Sequence, residues 1–231
     1  RQADNQQQLM QAGQNIFVLG MSSTRIDLGY FEHDRFAFSQ HSAVGPVRLA
    51  QTLNAMSIGV AQETAFAIEL INSKLADFWH MLPPFKAVDS LILLGADAAQ
   101  QIFLPKNQHR MTVSRTAIQV VTDDLSNLND QAIMEKYAVE LNDVPFVLTE
   151  MLLLLNVMQA INVSSLQISD LTVLDGLSVK DVHADDDIIT AARGIADRYM
   201  VEKQHRELVL TYAHQLFDRL KKIHHLTARD R

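Results

Sequence analysis

The segment DSLILLGADAAQQI, residues 89–102, limits the possible folds more than any other stretch of the chain. Leu91 to Leu94 are apolar without interruption. A strand with one wet face would alternate with polar residues, so the strand predicted here needs cover on both faces, as in the middle of an α/β sheet. It stops at Gly95 and runs into a short helical pattern. In α/β sheets that arrangement presents ligands at the carboxyl ends of the strands. With 231 residues, 48% of them hydrophobic, the chain can bury a core of this kind and still carry an appendage.

The order of elements around that strand narrows the class. Asn15 to Leu19, Arg25 to Phe31 and Arg35 to Ser42 read as three strands of a small antiparallel meander, the second showing the alternation Ile26, Leu28, Tyr30. Gly45 and Pro46 mark a turn, and VRLAQTL begins a helical pattern that fades near Gly59. From Glu63 to Leu82, Ala65, Ile68, Ile71, Leu75, Phe78 and Leu82 recur at helical spacing until the prolines at 83 and 84, with Trp79 and Met81 expected in the core. Past the buried strand comes a polar loop, then helices over Asn129 to Leu141 and Pro145 to Ile161, the latter apolar around most of its circumference. SSLQISDLTVLDGLSV returns to a strand and turn. Beyond His183 the acids of ADDD cap a helix through Met200, and a longer helix from Lys203 to Leu226 carries Leu208, Tyr212, Leu216, Leu220 and Ile223 on one stripe. That stripe must bury against the preceding helix or another chain. The expectation is an α/β unit over residues 1–183 and a helical extension over 184–231. Its order fits one half of a ribonuclease H-like (actin-like ATPase) domain, although a Rossmann-type sheet gives similar signals.

Composition removes several classes of function. The chain has no cysteine, hence no disulfide framework, thiolate zinc site or cysteine nucleophile, and a reducing, cytoplasmic setting is expected. MLLLLNVM is the longest apolar run, far short of the roughly 20 residues of a membrane span. RQADNQQQLMQ is too polar for a signal peptide. No membrane partner is expected, and the initial Arg suggests a piece of a longer chain. A net charge of −7 argues against nucleic acid as a partner. No metal site is expected. His205, His214, His224 and His225 lack a facing i, i+4 pair. The acids of DVHADDD (Asp181, His183, Asp185, Asp186, Asp187) read as a hard-metal cluster or, more simply, as a helix N-terminus favoured by the macrodipole. Ser22 and Ser23 lack the surroundings of a nucleophile elbow.

The chemistry-bearing stretch is NIFVLGMSSTRIDLG, residues 15–29, where an apolar run breaks at Gly20 and passes through small hydroxyl residues. Such a turn can point backbone N–H groups and hydroxyls at an anion, or be a hairpin whose serines and threonine satisfy local donors. Gly20, Ser22, Ser23, Thr24, Arg25 and Arg48 are the candidate phosphate-binding residues. Arg25 either pairs with an anion or sits on the solvated face of an edge strand, and Arg48 either serves the site or is a helix-surface charge.

Several segments together resemble the Ppx/GppA family, the exopolyphosphatases and guanosine pentaphosphate phosphohydrolases. FVLGMSSTRI is similar to the family's phosphate loop DIGGGSTEL, SAVGPVRLAQ to PLGAVRLTE, LILLGADAAQ to the second loop VGVGGTA, and VLDGLSVKDV to LREGLL. AARGIADRYMVEKQHRELVLTYAHQLFDRLKKIHHL resembles the start of the family's C-terminal helical region. The likeness runs from about Asn15 to Leu226 and implies the second half of the family's two-half core plus the first helices of the next domain. In the family the catalytic carboxylate and the first phosphate loop lie in the other half, so the resemblance implies no catalytic residue here.

The departures from those motifs fall on ligand-binding positions. Val18 replaces the aspartate, Met21 and Ser22 replace glycines, and Arg25 replaces the glutamate, leaving Gly20, Ser23 and Thr24. In the second loop Gly95 is kept, while Ala96 and Asp97 stand for glycine and threonine, and an acid there repels a polyanion. Leu174 replaces an arginine beside Asp175 and Gly176, and Asp143, Val144 and Pro145 stand near an arginine-alanine-aspartate triplet. Three functions compete: a catalytically silent module that binds a polyphosphorylated small molecule weakly, a phosphoanhydride hydrolase when joined to an upstream half, and a structural dimerisation element. The resemblance implies Mg²⁺ only for the hydrolase. A homo-oligomer formed through the sheet or the C-terminal helices is the expected assembly.

Overall fold

The computed structural model describes residues 13–33, 35–56, 60–171 and 184–227. Leu174, Asp175, Gly176, Asp181 and His183, singled out in the sequence, lie outside them. The chain divides into two compact units, Arg1–Ala184 and Asp185–Arg231.

The first unit is built on a six-stranded sheet. Strands β1 (Asn15–Ser22), β2 (Arg25–Glu32) and β3 (Arg35–Ser42) form an antiparallel meander in which Ser22 pairs with Arg25 and Glu32 with Arg35. Helices α1 (Pro46–Ala55) and α2 (Val60–His80) lead to β4 (Ser90–Gly95), which lies parallel to β1. Then follow α3 (Asp97–Phe103), β5 (Arg110–Ser114), α4 (Arg115–Leu125), α5 (Asp130–Tyr137), α6 (Val144–Ala160) and β6 (Ser165–Ser169). β6 runs parallel to β4 and antiparallel to β5, giving the order β3-β2-β1-β4-β6-β5. The uninterrupted apolar strand is thus β4, flanked on both sides by parallel neighbours, with Leu91, Ile92 and Leu93 buried.

The period of two decides which side chains enter the core. Phe17, Leu19 and Met21 of β1, Ile26, Leu28 and Tyr30 of β2, Leu91 and Leu93 of β4, and Leu166 and Ile168 of β6 join one buried cluster with the helices. Helix α6 is its hub: α1 to α5 each pack on it, and Val147, Met151, Leu153, Leu154, Val157 and Met158 are fully excluded from solvent. A helix apolar on nearly all sides is stable only in such surroundings. Its one ionisable side chain, Glu150, is buried with the rest.

The structure corrects several boundaries. The polar loop expected before Asn129 contains β5 and α4. β5 is an edge strand that buries only Val113. Helix α4 buries Ile118, Thr122 and Leu125 on a narrow stripe, and the Ser114 hydroxyl caps it by accepting the Ala117 N–H at 3.1 Å. α5 ends at Tyr137 because Ala138 turns left-handed at φ +54°. Trp79 packs against the core and its ring N–H donates to Asn156 Oδ1 at 3.2 Å, whereas Met81 is half exposed. β2 lies between β1 and β3, so Arg25 is on an inner strand rather than an edge strand.

The second unit consists of α7 (Ala184–Arg198), α8 (Lys203–Arg219) and the single turn α9 (Lys221–His224), so the long helix expected to reach Leu226 breaks near Leu220. Arg206 reaches from α8 to Asp197 of α7 at 2.6 Å, and the Phe217 and His224 rings stack 4.4 Å apart. α8 buries no residue, and Leu208, Tyr212 and Leu216 are each at least half exposed. The preceding helix therefore does not cover the stripe. Among the described residues no helix is long and apolar enough to cross a membrane.

Candidate functional site

The parallel strands β1, β4 and β6 end together at one edge of the sheet, which is where an α/β sheet places ligands. At the end of β1 the chain reverses through Ser23 and Thr24, both exposed, and the Ser22 hydroxyl donates to the Arg25 carbonyl at 3.3 Å. The sequence stretch that raised phosphate binding is therefore a tight β-hairpin turn.

That turn is clamped on two sides by other backbone. On one side α1 begins against it, and the Val47 N–H donates to the Ser23 carbonyl at 3.0 Å. A Cβ on Gly45 would lie 2.5 Å from the Arg25 nitrogen and 2.6 Å from both the Ser22 oxygen and the Thr24 carbonyl carbon, so only glycine fits. On the other side, where β4 ends, the Ala96 N–H donates to the Met21 carbonyl at 3.2 Å. Gly95 has φ +75°, and a Cβ there would stand 2.3 Å from the Met21 oxygen. Gly20, which the sequence offers as the surviving loop glycine, is not under this pressure: a Cβ would meet Asp27 at 3.7 Å, an ordinary contact.

The two candidate cations already have partners. Arg25 forms a fork with Asp27, Nε donating to Oδ2 at 2.8 Å and Nη2 to Oδ1, and this hydrogen bond and charge raise the guanidinium pKa. Both side chains are substantially exposed, so the pair adds little to stability. Arg48 donates from Nη1 to the Ala43 carbonyl at 2.9 Å.

The second loop is closed from within. Gly95 and Ala96 are both left-handed, at φ +75° and +63°, and this reversal launches α3 at the exposed Asp97. The donors of that first turn meet a carboxylate from the core: Glu150 Oε1 accepts the Ala99 N–H at 2.6 Å. Glu150 is only 5% exposed. Burial pushes its pKa up to about 7, against the pull of the Ala99 and Ala98 hydrogen bonds and with help from Asp97 and Asp143. Gln100 ties the segment to the sheet, its amide donating to the Gly95 carbonyl at 3.1 Å and the Ser169 carbonyl at 2.9 Å.

At the same edge the structure shows a pair the sequence did not single out. His109, just ahead of β5, lies 2.8 Å from Asp170, just past β6, through Nδ1 and Oδ2. The two are 61 residues apart in the chain, so no local pattern announces them. As for Mg²⁺, Val18 stands within β1 where the resemblance puts an aspartate, and Asp27 is held by Arg25. Among the described residues no three of His, Cys, Asp or Glu gather around a point that could hold an ion. The side chains of the described residues do not fit that metal.

No family model matches the chain, and no curated protein does. Solved structures do. The Ppx/GppA enzyme of Aquifex aeolicus superposes with a TM-score of 0.63 at 15% identity, over 75% of this chain and 59% of that one. An exopolyphosphatase-like protein gives 0.61 at 10% identity, over 72% and 57%. An exopolyphosphatase from Cytophaga hutchinsonii gives 0.60 at 8%, over 71% and 55%. The class defined by this sheet and its helices is an actin-like, ribonuclease H-like α/β domain. More particularly, its fold is that of the Ppx/GppA structures, of whose length the chain spans rather more than half.

Proposed function

We propose that this chain is a catalytically silent, exopolyphosphatase-like module that binds a polyphosphorylated small molecule weakly at the turn Ser22 to Arg25. The observation that carries this reading is the occupation of the backbone donors flanking the turn and of its arginine. The Val47 and Ala96 N–H groups donate to carbonyls of β1 and its turn, the Ala99 N–H donates to Glu150, and Arg25 is forked to Asp27. Catalysis of phosphoryl transfer is mostly positioning and charge neutralisation, so a site whose donors and cations are already engaged has little to offer the transition state. A steady-state assay of phosphate release from polyphosphate and from guanosine pentaphosphate with Mg²⁺ tests it. Background rates are expected, and turnover of about 1 per second or faster overturns the proposal.

A second reading draws on the neighbours' length. Joined to residues outside this chain, the domain forms half of a phosphoanhydride hydrolase, and its part is then to hold phosphate. The exposed stripe Leu208, Tyr212, Leu216 supports a further proposal, self-association through α8, since apolar rows of this kind in water favour a partner surface.

A further inference from the structure

Glu150 is the one ionisable group inside α6, and in the phosphate reading it serves only to occupy the Ala99 N–H. Its carboxylate crosses from α6 to the first turn of α3, a partner 51 residues away, and is almost fully removed from water. The charges that act on it are negative: Asp97 at the head of α3 and Asp143 at the head of α6. Arg48 of α1 is turned to the Ala43 carbonyl, Lys136 of α5 to Asp124, and among the described residues no charged group of α2 or α4 acts on it. A carboxylate met by the Ala99 and Ala98 N–H groups but by no cation, and facing two acids, is raised in pKa because its burial outweighs those bonds, and its charged form is costly unless the structure admits water to it.

The segment it touches is poised to move. Gly95 and Ala96 are both left-handed, and the second is a residue with a Cβ, for which that conformation is strained. Ala96, Ala98 and Ala99 are buried against the core, so their release exposes little surface beyond three methyl groups. The Gln100 bond to the Ser169 carbonyl at the end of β6 and the Gln101 bond to Asp143, at 2.7 Å, hold the remainder of α3 and confine the opening to residues 95–99, whose own tie to Gln100 runs through the Gly95 carbonyl.

We propose that Glu150 is a proton-operated latch on the second loop: neutral, it keeps the Gly95–Ala99 turn packed on α6, and ionised, it draws water in and loosens that turn at the ligand edge of the sheet. The pKa of about 7 places the change near neutrality. The latch regulates the shape of the edge whether or not anything binds there.

The test compares the full chain with Glu150→Gln, which keeps an oxygen acceptor for the Ala99 N–H and cannot ionise. Hydrogen exchange of residues 95–99, corrected for intrinsic rates, is expected to be about fivefold or more faster in wild type than in the variant near pH 8.5, and equal near pH 5.5. Equal exchange at both pH values overturns the latch. A second measurement needs no variant: the Glu150 side-chain carboxyl carbon, followed by NMR, should titrate near neutrality with the same midpoint as the exchange of residues 95–99. Titration in the ordinary carboxylate range also overturns it.

Discussion

Replacing Gly95 with alanine tests the clamp around the hairpin turn. The new Cβ would lie 2.3 Å from the Met21 oxygen, a backbone atom that cannot swing aside as a side chain can. The backbone at φ +75° also costs a residue with a Cβ about 1–2 kcal/mol. Relieving the contact means parting the ends of β1 and β4, which breaks the Ala96 to Met21 hydrogen bond, a further loss of about 1 kcal/mol. The sum is about 2–3 kcal/mol, which for a unit of this size lowers Tm by roughly 4–12 °C. Gly20→Ala is the internal control. Its Cβ makes only an ordinary contact, and alanine is the better residue inside a strand, so its effect should be zero or a gain of about 0.5 kcal/mol. Urea unfolding of both variants, with unchanged m-values, measures the difference. A Gly95→Ala variant within about 1 kcal/mol of wild type, or a Gly20→Ala variant equally damaged, would refute the clamp.

Other consequences can be checked on the same protein. The folded-state pKa of Glu150, about 7, lies above its ordinary 4.5, so between those values the folded chain holds a proton that the unfolded chain has lost. Its contribution is complete below about pH 4.5 and lost as pH rises through about 7, a decline of up to roughly 3 kcal/mol that urea titrations should show in wild type and not in Glu150→Gln. If α8 mediates self-association, sedimentation should show an oligomer that Leu208→Ser combined with Leu216→Ser converts to monomer, and a monomeric wild type at about 50 μM contradicts the proposal.

Much of the fold was legible because its elements obey one period each. β1 to β3 alternate, β4 is uniformly apolar and α6 is apolar all round, and each stands within a few residues of where the sequence places it. β5 and α4 escaped because an edge strand with one buried side chain and a helix with a three-residue stripe look polar to a window average. The Ser114 cap and the spacing of Ile118, Thr122 and Leu125 were the signals available. The site was legible as a turn with hydroxyls and two arginines, but not as a closed one. Closure depends on Asp27 beside Arg25, on Gly45 beneath the turn, and on Glu150 reaching α3 from a helix that reads as pure core. The Gly45 and Glu150 contacts join distant segments and have no local pattern, whereas Arg25 and Asp27, two apart on one strand, were a local signal.

The central claim is that both candidate arginines and the Val47, Ala96 and Ala99 N–H groups around the turn are already engaged by the chain itself. Calorimetric titration of the protein with inorganic triphosphate, alongside Arg25→Ala and Arg48→Ala, measures this directly. The account predicts a Kd no tighter than roughly micromolar to millimolar, since exposed arginines contribute little in water, weakened further by either substitution. Nanomolar binding, or tight binding that neither substitution weakens, would contradict it.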